Sequence, residues 1–125
     1  MGYQISWVQP DGVIRRHFGH VTGSELMTAI VETEQSPHFD SLRYVINDFL
    51  ECTGLTISSM EIEEIAAIDS AAAASNPNIR IAVVATSPEV IAAADAYAND
   101  PFTAYTTRIF GTMDEAKSWL RLPTA

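Results

Sequence analysis

Hydrophobic and polar residues alternate in two short runs at the start of the chain, YQISWV (3 to 8) and VIRRHF (13 to 18). Alternation with a period of two marks a strand that buries one face. The QPDG between them is a turn signal, because proline presets φ and glycine accepts positive φ. The pair predicts a β-hairpin. Three further β-prone runs follow: RYVINDF (43 to 49), IRIAVVA (79 to 85) and YTTRIF (105 to 110). IAVVA is continuously apolar, as expected of a central strand in a parallel sheet.

Between these runs the apolar period becomes helical. Leu26, Ile30 and Thr33 mark one face of a first helix, and Ile62, Ile65, Ile68 and Ala72 one face of a second. Ala92, Ala93, Ala96 and Tyr97 suit a third that lies close to a sheet, and Ala116, Trp119 and Leu120 give a fourth its buried edge. Each start fits S/T-x-x-E: Thr22 to Glu25, Ser58 to Glu61, Thr86 to Glu89 and Thr112 to Glu115. In such a capping box the hydroxyl accepts from the third helical N–H, while the glutamate reaches back to the cap. Ser87 followed by Pro88 is an alternative cap for the third helix, with proline at its favoured first position. Ser36-Pro37, Asn76-Pro77 and Asn99-Asp100-Pro101 close the first three helices.

The order ββαβαβαβα predicts a single α/β domain over residues 1–125. Its five-stranded sheet is mostly parallel, with the first strand antiparallel to the second. There is no internal linker or repeat.

Composition narrows the function classes. The 125 residues are 47% hydrophobic and 18% charged, which suits one globular domain. No apolar run approaches the length of a bilayer span, so integral membrane association is not expected. No basic segment followed by an apolar stretch opens the chain, which points to a cytoplasmic location. Seven basic residues against sixteen acidic ones leave a net charge of −9, which repels nucleic-acid phosphates and anionic lipid. Between Tyr44 and Ile79 there is no lysine or arginine, but six acids: Asp48, Glu51, Glu61, Glu63, Glu64 and Asp69. A solvated helix face explains them; a docking surface for a basic protein partner is the sharper alternative. The one cysteine, Cys52, has no partner for an internal disulfide.

An N-terminal hairpin, then Gly19-x-Val21-Thr22-Gly23-x-Glu25-Leu26 at the first helix, a strand ending in Asp48, Arg80-Ile-Ala-Val-Val84, Arg108-Ile-Phe110 and Glu115-Ala116 with Trp119-Leu120 complete the pattern. Together they resemble the SpoIIAA-like family of small bacterial proteins, related to STAS domains and to the lipid-binding Sec14 fold. The resemblance covers nearly the whole chain, though its most specific parts are structural positions. It implies a sheet with helices wound along it, a cytoplasmic location and self-association, which allows a homodimer. STAS relatives act as anti-sigma-factor antagonists that switch through a phosphorylated Ser or Thr at the start of the helix after the third strand.

In ECTGL (51 to 55), Thr53 imitates that phosphoacceptor motif, but the spacing from Asp48 favours Ser58 or Ser59. Ser58 is also the expected cap of the second helix, where a phosphate would meet free N–H groups but also Glu61, Glu63 and Glu64. Capping alone accounts for Ser58. Cys52 lies in acidic surroundings that protect a thiol. His17 and His20, three apart on a strand, point to opposite faces, so no metal site is expected. Glu61 and Glu64 share a helix face, yet glutamates in a first turn ordinarily answer the helix dipole. No nucleotide-binding or hydrolase motif is present, so no cofactor and no enzymatic activity are expected.

Parallel α/β sheets bind ligands beyond the carboxyl ends of their strands. That rim holds Asp48, Phe49, Cys52, Thr86, Ser87 and Thr112, with Trp7, Phe102, Tyr105, Phe110 and Trp119 as aromatic candidates for an apolar pocket. The reading is a non-enzymatic regulatory or protein-interaction module acting through the loop after the third strand and the acidic second helix. The alternative is a carrier of a small apolar ligand or lipid.

Overall fold

Strand β1 (Tyr3–Val8) turns back into β2 (Gly12–Thr22) in a computed structural model that describes residues 2–124. Val8 faces Gly12 across the antiparallel ladder, so the turn is only Gln9 to Asp11. Gly12 is therefore already strand, and its φ is not positive. It is needed for a different reason from the one its turn position suggests: the Tyr44 ring lies where a Cβ would stand.

Helix α1 (Gly23–Glu34) follows, then β3 (Tyr44–Thr56), α2 (Ser59–Ala73), β4 (Arg80–Val84), α3 (Pro88–Ala98), β5 (Thr106–Phe110) and α4 (Met113–Trp119). The sheet order is β1-β2-β3-β4-β5, with every pairing after the first parallel. When consecutive parallel strands are neighbours, right-handed crossovers place all their helices on one face. Leu26 of α1, Ala72 of α2 and Val90 of α3 accordingly pack into one core with Val13, Val45, Ile81 and Val83. Helix α4 has no strand to follow it and covers the other face, where Ala116 and Trp119 meet Tyr44, Ile46, Ala82 and Val84.

The caps form where the pattern put them. Thr22 and Thr112 accept from the N–H of Glu25 and Glu115, each at 3.2 Å. Ser58 and Glu61 complete a reciprocal box at 3.1 and 2.9 Å. Helix α3 uses Ser87 as its cap residue with Pro88 first in the helix, and the Ser87 side chain makes no capping bond.

ECTGL is not a loop. Strand β3 continues through it to Thr56, paired with Phe18 to Thr22 of β2. The register jumps between Arg16↔Asp48 and Phe18↔Glu51, and again between Gly19↔Cys52 and His20↔Gly54. At each jump β3 carries one extra residue, a pair of bulges that bends the ribbon. Gly19, at φ +70°, accommodates the bend in β2. The bulges break the period of two, which is why an alternation-based reading stops the strand at Phe49.

Helix α1 lies against β1 and β2, and α3 against β3 and β5, whereas α2 rests mainly on these two helices. A helix bridging its neighbours stands off the sheet, and the space beneath it is where the polar groups of this core collect.

Candidate functional site

Beneath α2 lies a cavity of about 90 Å³. Its floor is the helix-covered face of the sheet and its roof is α2, with α1 and α3 as walls. Val13, Arg15 and His17 point to this face of β2, as Val45, Asn47 and Phe49 do on β3, because alternate side chains share a face. A crossover helix runs antiparallel to its strands. Asp69, late in α2, therefore comes over Arg15 and Asn47, while Ile62, early in α2, comes over Leu55 at the far end of β3. The cavity thus has two ends: a polar one with Arg15, His17, Asn47, Asp69 and Tyr97, and an aliphatic one with Leu55, Ile57, Ile62 and Ile65. Arg15, His17 and Asp69 are buried, and Leu55, Ile57 and Ile62 are half-buried.

At the polar end, Arg15 donates from Nε to Asn47 Oδ1 at 2.9 Å, across a directly paired position of β2 and β3. Among the described residues the only ion pair is Arg16–Glu51, on the surface at 3.2 Å. The buried guanidinium therefore has no carboxylate at contact distance. Burial pulls its pKa down, and the charge of Asp69 beyond contact opposes that. Charges in an interior are ordinarily paired, since desolvating an ion costs several kcal/mol.

Tyr97 donates its hydroxyl to Asp69 Oδ2 at 2.6 Å. Burial raises the pKa of Asp69, and the Tyr97 hydrogen bond and Arg15 hold it back. Glu34, at the end of α1, is pushed up to about 8, first by burial and then by Asp69. Asp69 thus favours the protonated form of Glu34, while Glu34 holds Asp69 toward its charged form. Burial and Asp69 also drive the Tyr97 hydroxyl well above the usual tyrosine range.

His17, only 1% exposed, stacks on Phe49 with ring centroids 4.5 Å apart and planes 11° apart. Neither of its ring nitrogens has a hydrogen-bond partner among the described residues. Burial first, then the Arg15 charge, push its pKa down to about 4 against the opposing influence of the nearby Asn47 amide, which lies outside good hydrogen-bond geometry, so the ring is neutral at pH 7. An unsatisfied buried imidazole costs roughly 1–3 kcal/mol. Its position opposite a bulge at Phe49 fits the tendency of bulges to re-aim side chains beside sites.

The rim candidates lie elsewhere. Of Asp48, Phe49, Cys52, Glu61, Glu64, Thr86, Ser87 and Thr112, only Phe49 lines the cavity. Asp48 Oδ1 accepts from Leu50 N at 3.0 Å, and Cys52 is half-buried with Sγ 3.2 Å from the Gly54 carbonyl. Glu61 closes the capping box and also lies against Gly23, where an added Cβ would come within 2.6 Å of its carboxyl carbon. Glu64 and Thr86 are exposed, while Ser87 and Thr112 are helix caps. Of the aromatic candidates, Trp7 and Tyr105 belong to the main core, Phe110 and Trp119 to the opposite face, and Phe102 is 66% exposed.

Thr53 and Ser59 are exposed, and Ser58 is engaged at both its hydroxyl and its backbone N–H. His20 is exposed and bonds Thr56 Oγ1 at 2.8 Å, away from buried His17. Among the described residues no cluster of His, Cys, Asp or Glu is placed to hold a metal ion.

Sequence reading missed Arg15, Asn47, Asp69 and Tyr97 as a group. One signal was available. Ile62, Ile65 and Asp69 share a helix face by their spacing, so the acid stands on an apolar stripe.

No protein-family model matches the chain, and no curated protein matches it by sequence. Solved structures do match it in fold. SpoIIAA, an anti-sigma factor antagonist, in its unphosphorylated form superposes with a TM-score of 0.62 at 13% identity, covering 95% of this chain and 97% of that one. The Bacillus cell fate determinant SpoIIAA in its phosphorylated form gives 0.61 at 14%, covering 95% and 99%. An uncharacterized DUF3478-family protein with a SpoIIAA-like fold, from Shewanella loihica, gives 0.57 at 18%, covering 94% and 91%. The chain therefore has the SpoIIAA-like fold.

Proposed function

We propose that this chain is a non-enzymatic binding domain that takes a small, mostly aliphatic molecule into the cavity beneath α2. The observation that carries the reading is the cavity itself, about 90 Å³ of space in the main core, aliphatic at one end and polar at the other. Interiors are otherwise close-packed, and pockets with apolar walls and a few convergent polar groups are how proteins hold small ligands. Among the described residues the lining carries no Ser, Thr, Cys or Lys nucleophile, and its one carboxylate, Asp69, is engaged by the Tyr97 hydroxyl, which favours binding over catalysis.

Methyl-resolved NMR tests this with a neutral probe, 3-methylbutanol. The expected result is saturable shifts concentrated on Ile30, Ile62, Ile65, Val83 and Val90, and lost in Ala94→Leu, which fills the space. Shifts spread over the surface, or none at all, would reject it.

A second reading, a regulatory contact with a basic protein in the cytoplasm, is supported by the exposed side of α2. Met60, Glu63 and Glu64 stand in solvent there, directly above the cavity roof. The likeness in fold to an anti-sigma factor antagonist also supports it. Titration with a lysine-rich peptide should show salt-sensitive binding that Glu63→Lys with Glu64→Lys abolishes; no binding would reject this reading. Homodimerisation is tested by sedimentation at micromolar concentration, where a monomer throughout would reject it.

A further inference from the structure

We infer that the ligand of this cavity is a monocarboxylic acid with a short aliphatic body, its carboxylate held by Arg15. The inference rests on the binding-domain reading and adds the chemical class of the ligand.

Three observations converge on an anionic head group. Arg15 is 5% exposed and spends only Nε on the protein, at Asn47; neither Nη atom has a hydrogen-bond partner among the described residues. A guanidinium presents its donors as a planar fork that a carboxylate matches with two parallel bonds. His17 lines the same end with both ring nitrogens unpartnered, so one N–H donor is available beside the fork. Asp69, the acid of this cavity end, is already engaged by the Tyr97 hydroxyl at 2.6 Å and stands beyond ion-pair distance of the guanidinium. The unmet groups are donors first, so the missing partner is an acceptor that carries charge. An added carboxylate at the fork would lie closer to Arg15 than to Asp69, and Coulomb attraction at the shorter distance exceeds the repulsion.

The rest of the ligand follows from the walls and the volume. From the fork, the lining continues through Phe49 and Ile65 to Ile62 and Leu55, all without charge. At about 90 Å³ the space is smaller than the roughly 150 Å³ that accommodates benzene in an engineered apolar cavity. That favours a short aliphatic body over a fused ring system or a nucleotide. The half-buried Leu55, Ile57 and Ile62 let a longer tail emerge at the outer end.

Calorimetric titration of the wild-type protein with sodium acetate, butyrate, 3-methylbutyrate and hexanoate, beside butanamide and 3-methylbutanamide, tests the inference without any variant. The acids should bind at least about tenfold more tightly than the matching amides, because only a carboxylate adds ion-pair attraction and a second acceptor for the guanidinium fork. Each methylene should tighten binding about fourfold until the chain reaches the outer end, where the gain stops. Arg15→Met keeps the stem of the side chain and should abolish the preference for acids over amides, with circular dichroism confirming the fold. Amides binding as tightly as acids would overturn the head-group assignment and leave the cavity reading standing. Valine binding more tightly than 3-methylbutyrate would overturn it in favour of a zwitterion spanning Arg15 and Asp69. If neither acids nor amides bind, the cavity reading falls and the inference with it.

Discussion

Under α4, Tyr44, Ile46, Ala82 and Val84 form a dry layer with Ala116 and Trp119, closed at its edge by Arg80 stacked 3.9 Å over the Trp119 ring. Through the same strands, one residue along, the other face carries Arg15, His17 and Asn47 and leaves a cavity. The period of two sends neighbours of one strand to two different environments: Ile14 to the apolar side, Arg15 to the one that carries the polar groups. The difference arises in the helices. One short helix seats directly on the α4 face. Three helices share the other, and the middle one is held off the sheet by its neighbours. Packing fills one face; on the other, polar groups stand where packing is incomplete.

The largest test of this contrast is truncation on each side. Ile46→Ala, at a fully buried site among residues that cannot close the gap, should cost about 4 kcal/mol in urea unfolding. Ile65→Ala, which already borders empty space and has fewer contacts to lose, should cost only about 2 kcal/mol. Equal costs would mean that the two faces are packed alike.

Next comes the charge network. Asp69→Ala leaves Arg15 without its nearby anion and Tyr97 without its acceptor, and should lose about 3 kcal/mol. Adding Arg15→Met to Asp69→Leu should recover most of that loss, since an apolar replacement of a buried charge pair is often neutral. A double variant no more stable than Asp69→Ala would contradict the view that the polar end is held for binding and not for stability.

Stability against pH should also separate the faces, because His17 and Glu34, whose pKa values move on folding, lie on the side covered by α1, α2 and α3. The pKa of His17 falls from 6.5 to about 4 on folding, so the unfolded chain takes its proton first and stability is lost as pH falls through that range. Glu34 moves oppositely, from 4.5 to about 8: the folded chain keeps the proton longer, so stability is lost as pH rises through its range. Between 4.5 and 6.5 the two oppose each other; above 6.5 only the carboxyl side remains. Thermal unfolding should therefore weaken from pH 6.5 to 8, and Glu34→Gln should flatten that decline. An unchanged slope would remove Glu34 from the network.

The smallest effects sit at helix ends. Ser58→Ala should cost about 1 kcal/mol through the lost cap of the cavity roof. Arg121 ends α4 at φ 61°, in a motif where Leu122 N bonds the Lys117 carbonyl at 2.8 Å and Arg121 N bonds that of Ser118 at 3.1 Å. Arg121→Gly should stabilise by roughly 0.5–1 kcal/mol, because glycine adopts that conformation freely.

Much of the fold was legible in the residue pattern. The five strands, the four helix starts and the direction of each pairing follow from period, caps and the order of elements, all of which act over a few residues. The continuation of β3 through ECTGLT was not legible, because its two bulges are defined only against the partner strand. Nor was the end of α4, which no glycine marks. Of the site, the sequence showed His17 and the acidic helix, but weighed the first only for a metal pair that it rejected and the second only as a solvated face or docking surface.

What the sequence determined alone is thus the set of elements, their caps and the faces they bury, since each depends on neighbours within a turn or a strand. Tertiary structure decided that α2 is lifted from the sheet by α1 and α3. It also decided that Arg15 of β2, Asn47 of β3, Asp69 of α2 and Tyr97 of α3 meet beneath it. No local pattern encodes that meeting, because a buried charge is indistinguishable from a solvated one until the helices that exclude water from it are in place.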